Sequence, residues 1–239
     1  MNEITVLTGA GISTESGIPD FRGPNGLWTR YPDFQKLVDI DHYLADPEIR
    51  RRSWGFRRDN PAWTAEPNPA HLALVELERA GRLGRIITQN IDGLHQRAGS
   101  DPGLVLELHG NMFGAMCTGC GARTTLRQAL DRIDAGETDP ACLDCGAILK
   151  TTTVMFGESL DAGVLTAAAE AARNCRTFIA IGTSLQVHPA AALPAIAFDA
   201  GARLIVVNGE PTPYDELADE VIREPIGAAV PALLTRIRG

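Results

Sequence analysis

Short apolar runs alternate along the chain with longer stretches in which apolar residues recur every three or four positions. ITVLT, RIITQN, VLELHG, TFIAIG and RLIVVN have the length and composition of buried strands. NPAHLALVELERAG, LTAAAEAARN and PAAALPAIAFDAG carry the helical spacing and end near Gly or Asn. Regular alternation of the two predicts an α/β fold, a Rossmann-like parallel sheet with helices on both faces. Ligands of such sheets bind beyond the C-terminal ends of the strands. The polar and glycine residues fall there: Gly9 and Gly11, Gln89 and Asn90, His109, Gly182 and Thr183, and Asn208. They point to one shared cleft.

Two segments break the alternation. Residues 31–67 hold the helix-like DPEIRRRSWGFRRD with aromatics and prolines; residues 112–151 hold four cysteines and few large apolar side chains. The expected organisation is a Rossmann-like nucleotide-binding domain from 1–30, 68–111 and 152–239. A helical module (31–67) and a cysteine module (112–151) would form a smaller domain beside it. The chain opens directly on its first strand, so one face of the sheet is expected to be less covered.

Composition narrows the functions. A formal net charge of -8 argues against nucleic acid as the main partner, since phosphate binding needs a surplus of Lys and Arg. The basic run Arg50, Arg51, Arg52, Arg57 and Arg58 reads as a solvated helix face. No stretch reaches the ~18–20 apolar residues of a membrane span, and no signal peptide is evident. The reading is cytoplasmic, where disulfides are rare.

The cysteines therefore need another explanation. CTGCGA contributes Cys117 and Cys120, and CLDCGA contributes Cys142 and Cys145. Two C-x2-C pairs form a zinc-ribbon pattern, each tight turn pointing two thiolates at one Zn2+ ion. Four thiolates leave no open coordination position, so the predicted zinc is structural. Cys175 is left over as an inert thiol.

VLTGAGIST begins like a dinucleotide fingerprint, yet Thr14 stands where the third glycine belongs. No acidic residue ends a second strand about 20 residues on, which also counts against a dehydrogenase. In TQNIDGLH, amides suit sugar hydroxyls and carboxamides because they donate and accept at once. Asp92 there has two readings: helix cap or site residue. His109, ending a strand, is either structural or a general base.

Taken in order, GAGIST, SGIPDFRG, TQNIDGLH, LHG, the two cysteine pairs, FGE, GTSLQVHPAA and VVNGEPT resemble the sirtuins, of bacterial type. The resemblance covers nearly the whole chain. It implies an NAD-dependent protein-lysine deacylase, with deacetylation foremost, that consumes NAD and releases nicotinamide, free lysine and O-acyl-ADP-ribose. It assigns His109 as general base, with Asn90 and Asp92 beside the nicotinamide and Ile91 and Gln89 lining the same pocket. Gly9, Ala10, Gly11, Ser13 and Thr14 would meet the pyrophosphate. Phe21 and Arg22 would lie on a mobile loop over the cofactor. Gly182, Thr183, Ser184, Asn208, Glu210 and Ile226 would hold the adenosine half. An acylated-lysine peptide would add as a strand between Val154, Phe156, Gly157 and Glu158 on one side and Val187 on the other.

Deacylases that prefer acidic acyl groups carry a Tyr with an Arg three residues later. Here Trp54 precedes Arg57, so such a preference is not expected. ADP-ribosyl transfer, a long-chain or lipoyl-type deacylase, and an NAD-sensing zinc-ribbon binding module stay open as alternatives.

Overall fold

The computed structural model describes residues 2–23, 26–31 and 33–238. In chain order the strands are β1 (Asn2–Thr8), β2 (Leu83–Thr88), β3 (Val105–Glu107), β4 (Gly114–Cys117), β5 (Arg123–Thr125), β6 (Leu149–Thr151), β7 (Cys175–Ile181), β8 (Arg203–Val207) and β9 (Glu220–Ile222). The helices are α1 (Leu27–Arg30), α2 (Phe34–Leu37), α3 (Ile40–Ala45), α4 (Pro47–Arg58), α5 (Pro69–Arg79), α6 (Leu94–Ala98), α7 (Leu126–Asp134), α8 (Ala162–Arg173), α9 (Leu193–Asp199) and α10 (Ile226–Arg238).

Among the described residues the main sheet has six parallel strands in the order β3-β2-β1-β7-β8-β9. The strand order reverses beside β1, between β2 and β7, which is where such sheets open a ligand crevice. Alternating side chains divide the core in two. Ile4, Val6, Ile86, Ile179 and Ile205 pack under α5 and α10. Leu7, Ile87, Phe178, Ala180 and Leu204 pack under α8 and α9. The expected barer face is absent, because α10 returns from the far end of the chain to lie beside α5. The leftover Cys175 starts β7; it is buried, with Sγ 3.2 Å from the Ala172 carbonyl.

Local sequence explains where the helices start. In α8, Asp161 accepts the Val164 N–H at 2.9 Å. In α4, Pro47 takes the first position and Asp46 caps through the Glu48 N–H at 2.8 Å. In α5, Asn68 caps the helix and His71 stands at the third position, where a capping box ordinarily has Glu or Gln.

The two irregular segments pack on each other. A three-stranded antiparallel sheet, β5-β4-β6, carries α7 on one side. Trp54 from α4 is buried against Ala115, Leu126, Leu130 and Leu149. Tyr43 donates its hydroxyl to the Leu149 carbonyl at 2.7 Å, and Arg50 pairs with Asp139 at 2.7 Å.

The basic run departs from its expected solvated face. Arg50 and Arg57 are each only 8% exposed, whereas Arg51, Arg52 and Arg58 face outward. Positions 50, 54 and 57 share one helix face, and that face is the one turned inward.

Candidate active site

A cleft of about 790 Å³ opens at the C-terminal ends of β1, β2, β3, β7 and β8 and continues between the sheet and the smaller module. Its floor is made where three glycines meet. Gly9 N–H donates to the Ile181 carbonyl at 3.0 Å, and Gly11 N–H to the Gly182 carbonyl at 2.8 Å. A Cβ at Gly9 would lie 2.7 Å from the Gly182 oxygen, and one at Gly11 2.7 Å from the Gly182 Cα. Contact between the β1 and β7 turns therefore requires these glycines.

Gly182 itself sits at φ +60, and a Cβ there would stand 2.3 Å from the Ile12 nitrogen. Gly182→Ala is expected to cost at least about 1–3 kcal/mol from its left-handed backbone, with the clash added. In a chain of this size that lowers the melting temperature by on the order of 5 °C. A variant that melts with the wild type would show that the turn relaxes freely.

Above this floor the TQNID segment is held by side-chain bonds. Asn90 donates its amide to the Gly9 carbonyl at 3.1 Å and to Ser13 Oγ at 3.2 Å. Ser13 Oγ donates to Asp92 Oδ2 at 2.8 Å, while Asp92 Oδ1 accepts the Leu94 N–H at 2.9 Å. One Asp92 oxygen thus takes the first N–H of α6, while the other belongs to the network lining the cleft. Burial pushes its carboxyl above the usual range, with the Leu94 and Ser13 bonds opposing. Gln89 donates to Thr183 Oγ1 at 2.9 Å, tying β2 to β7 across β1.

His109 stands at the end of β3. Its Nδ1 lies 2.8 Å from the Gln89 carbonyl. A carbonyl only accepts, so Nδ1 carries the proton and Nε2 keeps its lone pair. Burial holds the imidazole below its ordinary 6.5, partly offset by the Gln89 carbonyl. At neutral pH the ring is a neutral base.

The loop after Ser16 turns back across the cleft; Pro24 and Asn25 within it lie outside the described residues. Phe21 contacts Trp28 edge-on at 5.8 Å, and the Arg22 guanidinium sits 4.1 Å above the Trp28 ring. Trp28 in turn meets Phe156 at 5.7 Å. The short helix α1, absent from the sequence reading of this Gly/Pro-rich loop, supplies Trp28.

At the cleft's other end, segment 154–158 is braced from three sides. Val154 N–H donates to the His109 carbonyl at 2.9 Å, and Phe156 N–H to the Val38 carbonyl at 2.8 Å. Lys150 Nζ lies 3.0 Å from Glu158 Oε2, which also accepts the Met155 N–H at 2.8 Å. Among the described residues Gly157 N–H and the N–H groups of Gln186 and Val187 have no partner.

The four cysteine sulfurs lie within 4.8 Å of one another, with Cys117 to Cys145 at 3.4 Å and Cys120 to Cys142 at 3.7 Å. These separations are far too long for disulfides, and they suit a tetrahedron with Zn–S near 2.3 Å. The N–H groups of Cys120 and Gly119 point at Cys117 Sγ and hold that thiol down at about 6. The donor set fits one structural zinc.

A model of the Sir2 family matches residues 9–189 of this sequence. The chain belongs to the Sir2 family. Its sequence is 62% identical to NAD-dependent protein deacetylase 2 of Streptomyces coelicolor, over 97% of this chain and 96% of that one. It is 45% identical to NAD-dependent protein deacetylase 1 of Pyrobaculum aerophilum, over 98% of this chain and 89% of the relative. A solved Sir2 enzyme superposes with a TM-score of 0.90 at 43% identity, covering 99% of this chain and 93% of that one. A Sir2 structure with a deacetylated p53 peptide and 3′-O-acetyl ADP ribose gives 0.88 at 38% identity, with 98% and 92% covered.

In this Sir2 chain the cleft gathers nearly all the residues singled out from sequence. Gly9, Ala10, Gly11, Ser13, Phe21, Arg22, Gln89, Asn90, Ile91, Asp92 and His109 line it, as do Gly182, Thr183, Ser184, Asn208 and Glu210. Val154, Phe156, Gly157, Glu158 and Val187 line its other end. Two residues fall off the wall. Thr14 is exposed and spends its hydroxyl on the Gly11 carbonyl at 2.9 Å, and Ile226, the first residue of α10, packs against the core.

Sequence reasoning left the inner wall unassigned. Met112, Leu126 and Thr151 reach it from the cysteine module, and Asn60, Phe56 and Arg57 from the helical one. The capping signal Thr125-x-x-Gln128 could have revealed α7, which brings Leu126 there. Trp54 is core and does not face the cleft. Arg57 does, and it bonds Thr151 Oγ1 at 3.2 Å without any ion pair among the described residues.

Proposed function

We propose that this protein is an NAD-dependent protein-lysine deacylase, with deacetylation its foremost activity and His109 its general base. The observation that carries this assignment is the His109–Gln89 bond. It leaves a neutral Nε2 on a residue lining a cleft whose two ends differ in chemistry, glycine turns and amides on one side and an unpaired backbone edge on the other. The deacetylases of Streptomyces and Pyrobaculum support deacylation over ADP-ribosyl transfer and over a zinc-ribbon binding module.

NAD, consumed as co-substrate, supplies an anomeric carbon made reactive by loss of nicotinamide. The chain's residues do the rest by placement. Asn90 and Asp92 are held rigidly enough by Ser13, Gly9 and Leu94 to orient a carboxamide. Gly9, Gly11, Ser13 and Arg22 face the diphosphate; Gly182, Thr183, Ser184, Asn208 and Glu210 face the adenosine. Phe21 shields the reacting carbon from water. His109 Nε2 accepts a ribose hydroxyl proton. An acylated-lysine peptide pairs with the open N–H groups at Gly157 and at Gln186–Val187, a backbone-led recognition that tolerates many flanking sequences.

We also assign 1–30, 68–111 and 152–239 to the nucleotide-binding domain, and 31–67 with 112–151 to the smaller domain that the zinc holds together. Among the described residues no helix is long and apolar enough to cross a membrane. Reduced cysteines in a zinc-binding set favour a cytoplasmic setting.

The deciding experiment is mass spectrometry of products after incubation with NAD and peptides bearing acetyl, succinyl or long-chain acyl-lysine. Nicotinamide with O-acetyl-ADP-ribose is the expected result. ADP-ribose attached to protein, with peptides left acylated, would move the assignment to a transferase.

A further inference from the structure

On α5 and α6, turned into the core, are two histidines that the proposed chemistry does not use. His71 is fully buried and His95 is 2% exposed, with ring centroids 5.1 Å apart and planes at 58°. Each has one nitrogen bonded and one with no hydrogen-bond partner, His71 Nε2 and His95 Nδ1.

The bonded ends determine the tautomers. Asn68 N–H donates to His71 Nδ1 at 3.4 Å, so that nitrogen is an acceptor and the His71 proton sits on Nε2. Thr8 donates its hydroxyl to Thr88 Oγ1 at 2.9 Å, so its oxygen takes a proton from His95 Nε2, 3.0 Å away. The His95 proton is thereby on Nε2 and its Nδ1 is a bare acceptor. The unpartnered atoms are hence a donor on one ring and an acceptor on the other. The two atoms are not yet joined in the structure, but with the ring centroids 5.1 Å apart a turn of either ring that brings donor to acceptor satisfies both buried groups at once.

We propose that His71 and His95 form a neutral, one-directional hydrogen-bond relay through the core, in which His95 is a positioning residue for the nicotinamide pocket. At one end Asn68, besides capping α5, donates its amide to the Ile12 carbonyl at 2.7 Å and to Ser16 Oγ at 3.0 Å, fixing the turn after β1. At the other end Thr88 Oγ1 also accepts the Asn90 N–H at 3.0 Å. The relay joins the turn that carries Gly11 and Ser13 to the strand end that carries Asn90. Protonating either ring would set donor against donor. Burial opposes this already, holding His71 down at about 4 and His95 at about 3, where His71 adds to the effect. The proposal rests on Asn90 belonging to the nicotinamide pocket.

The test begins with wild-type protein labelled with ¹⁵N-histidine. Two-bond ¹H–¹⁵N correlations should show both rings neutral with the proton on Nε2 from pH 6 to 8, and His71→Phe should move the His95 Nδ1 shift. A proton on Nδ1 of either ring would overturn the relay. So would a His95 Nδ1 shift that ignores His71→Phe but responds to Ser100→Ala, since the buried Ser100 hydroxyl is the other candidate donor.

Kinetics supply the second arm. His95→Leu should raise the NAD KM about tenfold to a hundredfold with the peptide KM little changed. His95→Gln can accept from His71 and donate to Thr8, so it should recover most of that loss. Equal behaviour of the two variants, or equal rises in both KM values, would reduce His95 to a packing residue. A protein that releases no nicotinamide at all would instead defeat the deacylase assignment, while the tautomer measurement would still decide the relay.

Discussion

Replacing His109 with alanine is expected to lower turnover of an acetylated peptide by about 10²–10⁴-fold, the usual contribution of a positioned general base. The fold should survive. His109 is half-buried at the mouth of the cleft, its one side-chain bond goes to the Gln89 carbonyl, and that carbonyl faces open space once the ring is gone. Single-turnover product analysis with circular dichroism on the same sample makes the comparison. Wild-type turnover in the variant would remove His109 from the mechanism.

The wild-type pH profile is a second reading of the same group. As a general base His109 would act unprotonated, and burial holds its pKa below 6.5. Activity should therefore persist below pH 6.5 and fall only as acid protonates the ring. An acid limb centred above 6.5 would contradict the burial.

Loss of zinc should have the next largest effect. Cys117 and Cys142 are buried beside Trp54, Leu126 and Leu130 in one small core, so the metal and that core support each other. Structural zinc contributes on the order of 10 kcal/mol to small modules. Only part of this is expected here because α3 and α4 also brace the module through Tyr43 and Arg50. Cys142→Ala, or chelation at neutral pH, should release one zinc per chain and lower the melting temperature by on the order of 10 °C. Activity should fall with it, because Met112, Leu126, Thr151 and segment 154–158 line the cleft from this module or directly after it. Full activity in metal-free protein would show the module to be dispensable.

Most of the sheet was legible because buried parallel strands are short, continuous apolar runs, and five of the six appeared as such. The sixth, β9, has only three half-buried residues and lacked that signal. The cysteine module was legible by its cysteines alone. Its strands of three or four residues fall below any periodic pattern, and α7 was announced only by its cap. The basic run of α4 was misread because charge suggests solvent, whereas a helix face is chosen by its neighbours. Arg50 and Arg57 point inward to partners 89 and 94 residues away.

The site divides the same way. Sequence by itself determined the chemistry: glycines, amides and a histidine at strand ends, four thiols in two pairs, and the family they resemble. These are properties of residue type and short spacing. Tertiary structure alone decided which groups meet. It put Gly182 against Gly9 and Gly11, turned Thr14 and Ile226 away from the cleft, fixed the His109 proton on Nδ1 and brought His71 to His95. Each of these depends on packing between strands or helices distant in the chain, where local pattern carries no information.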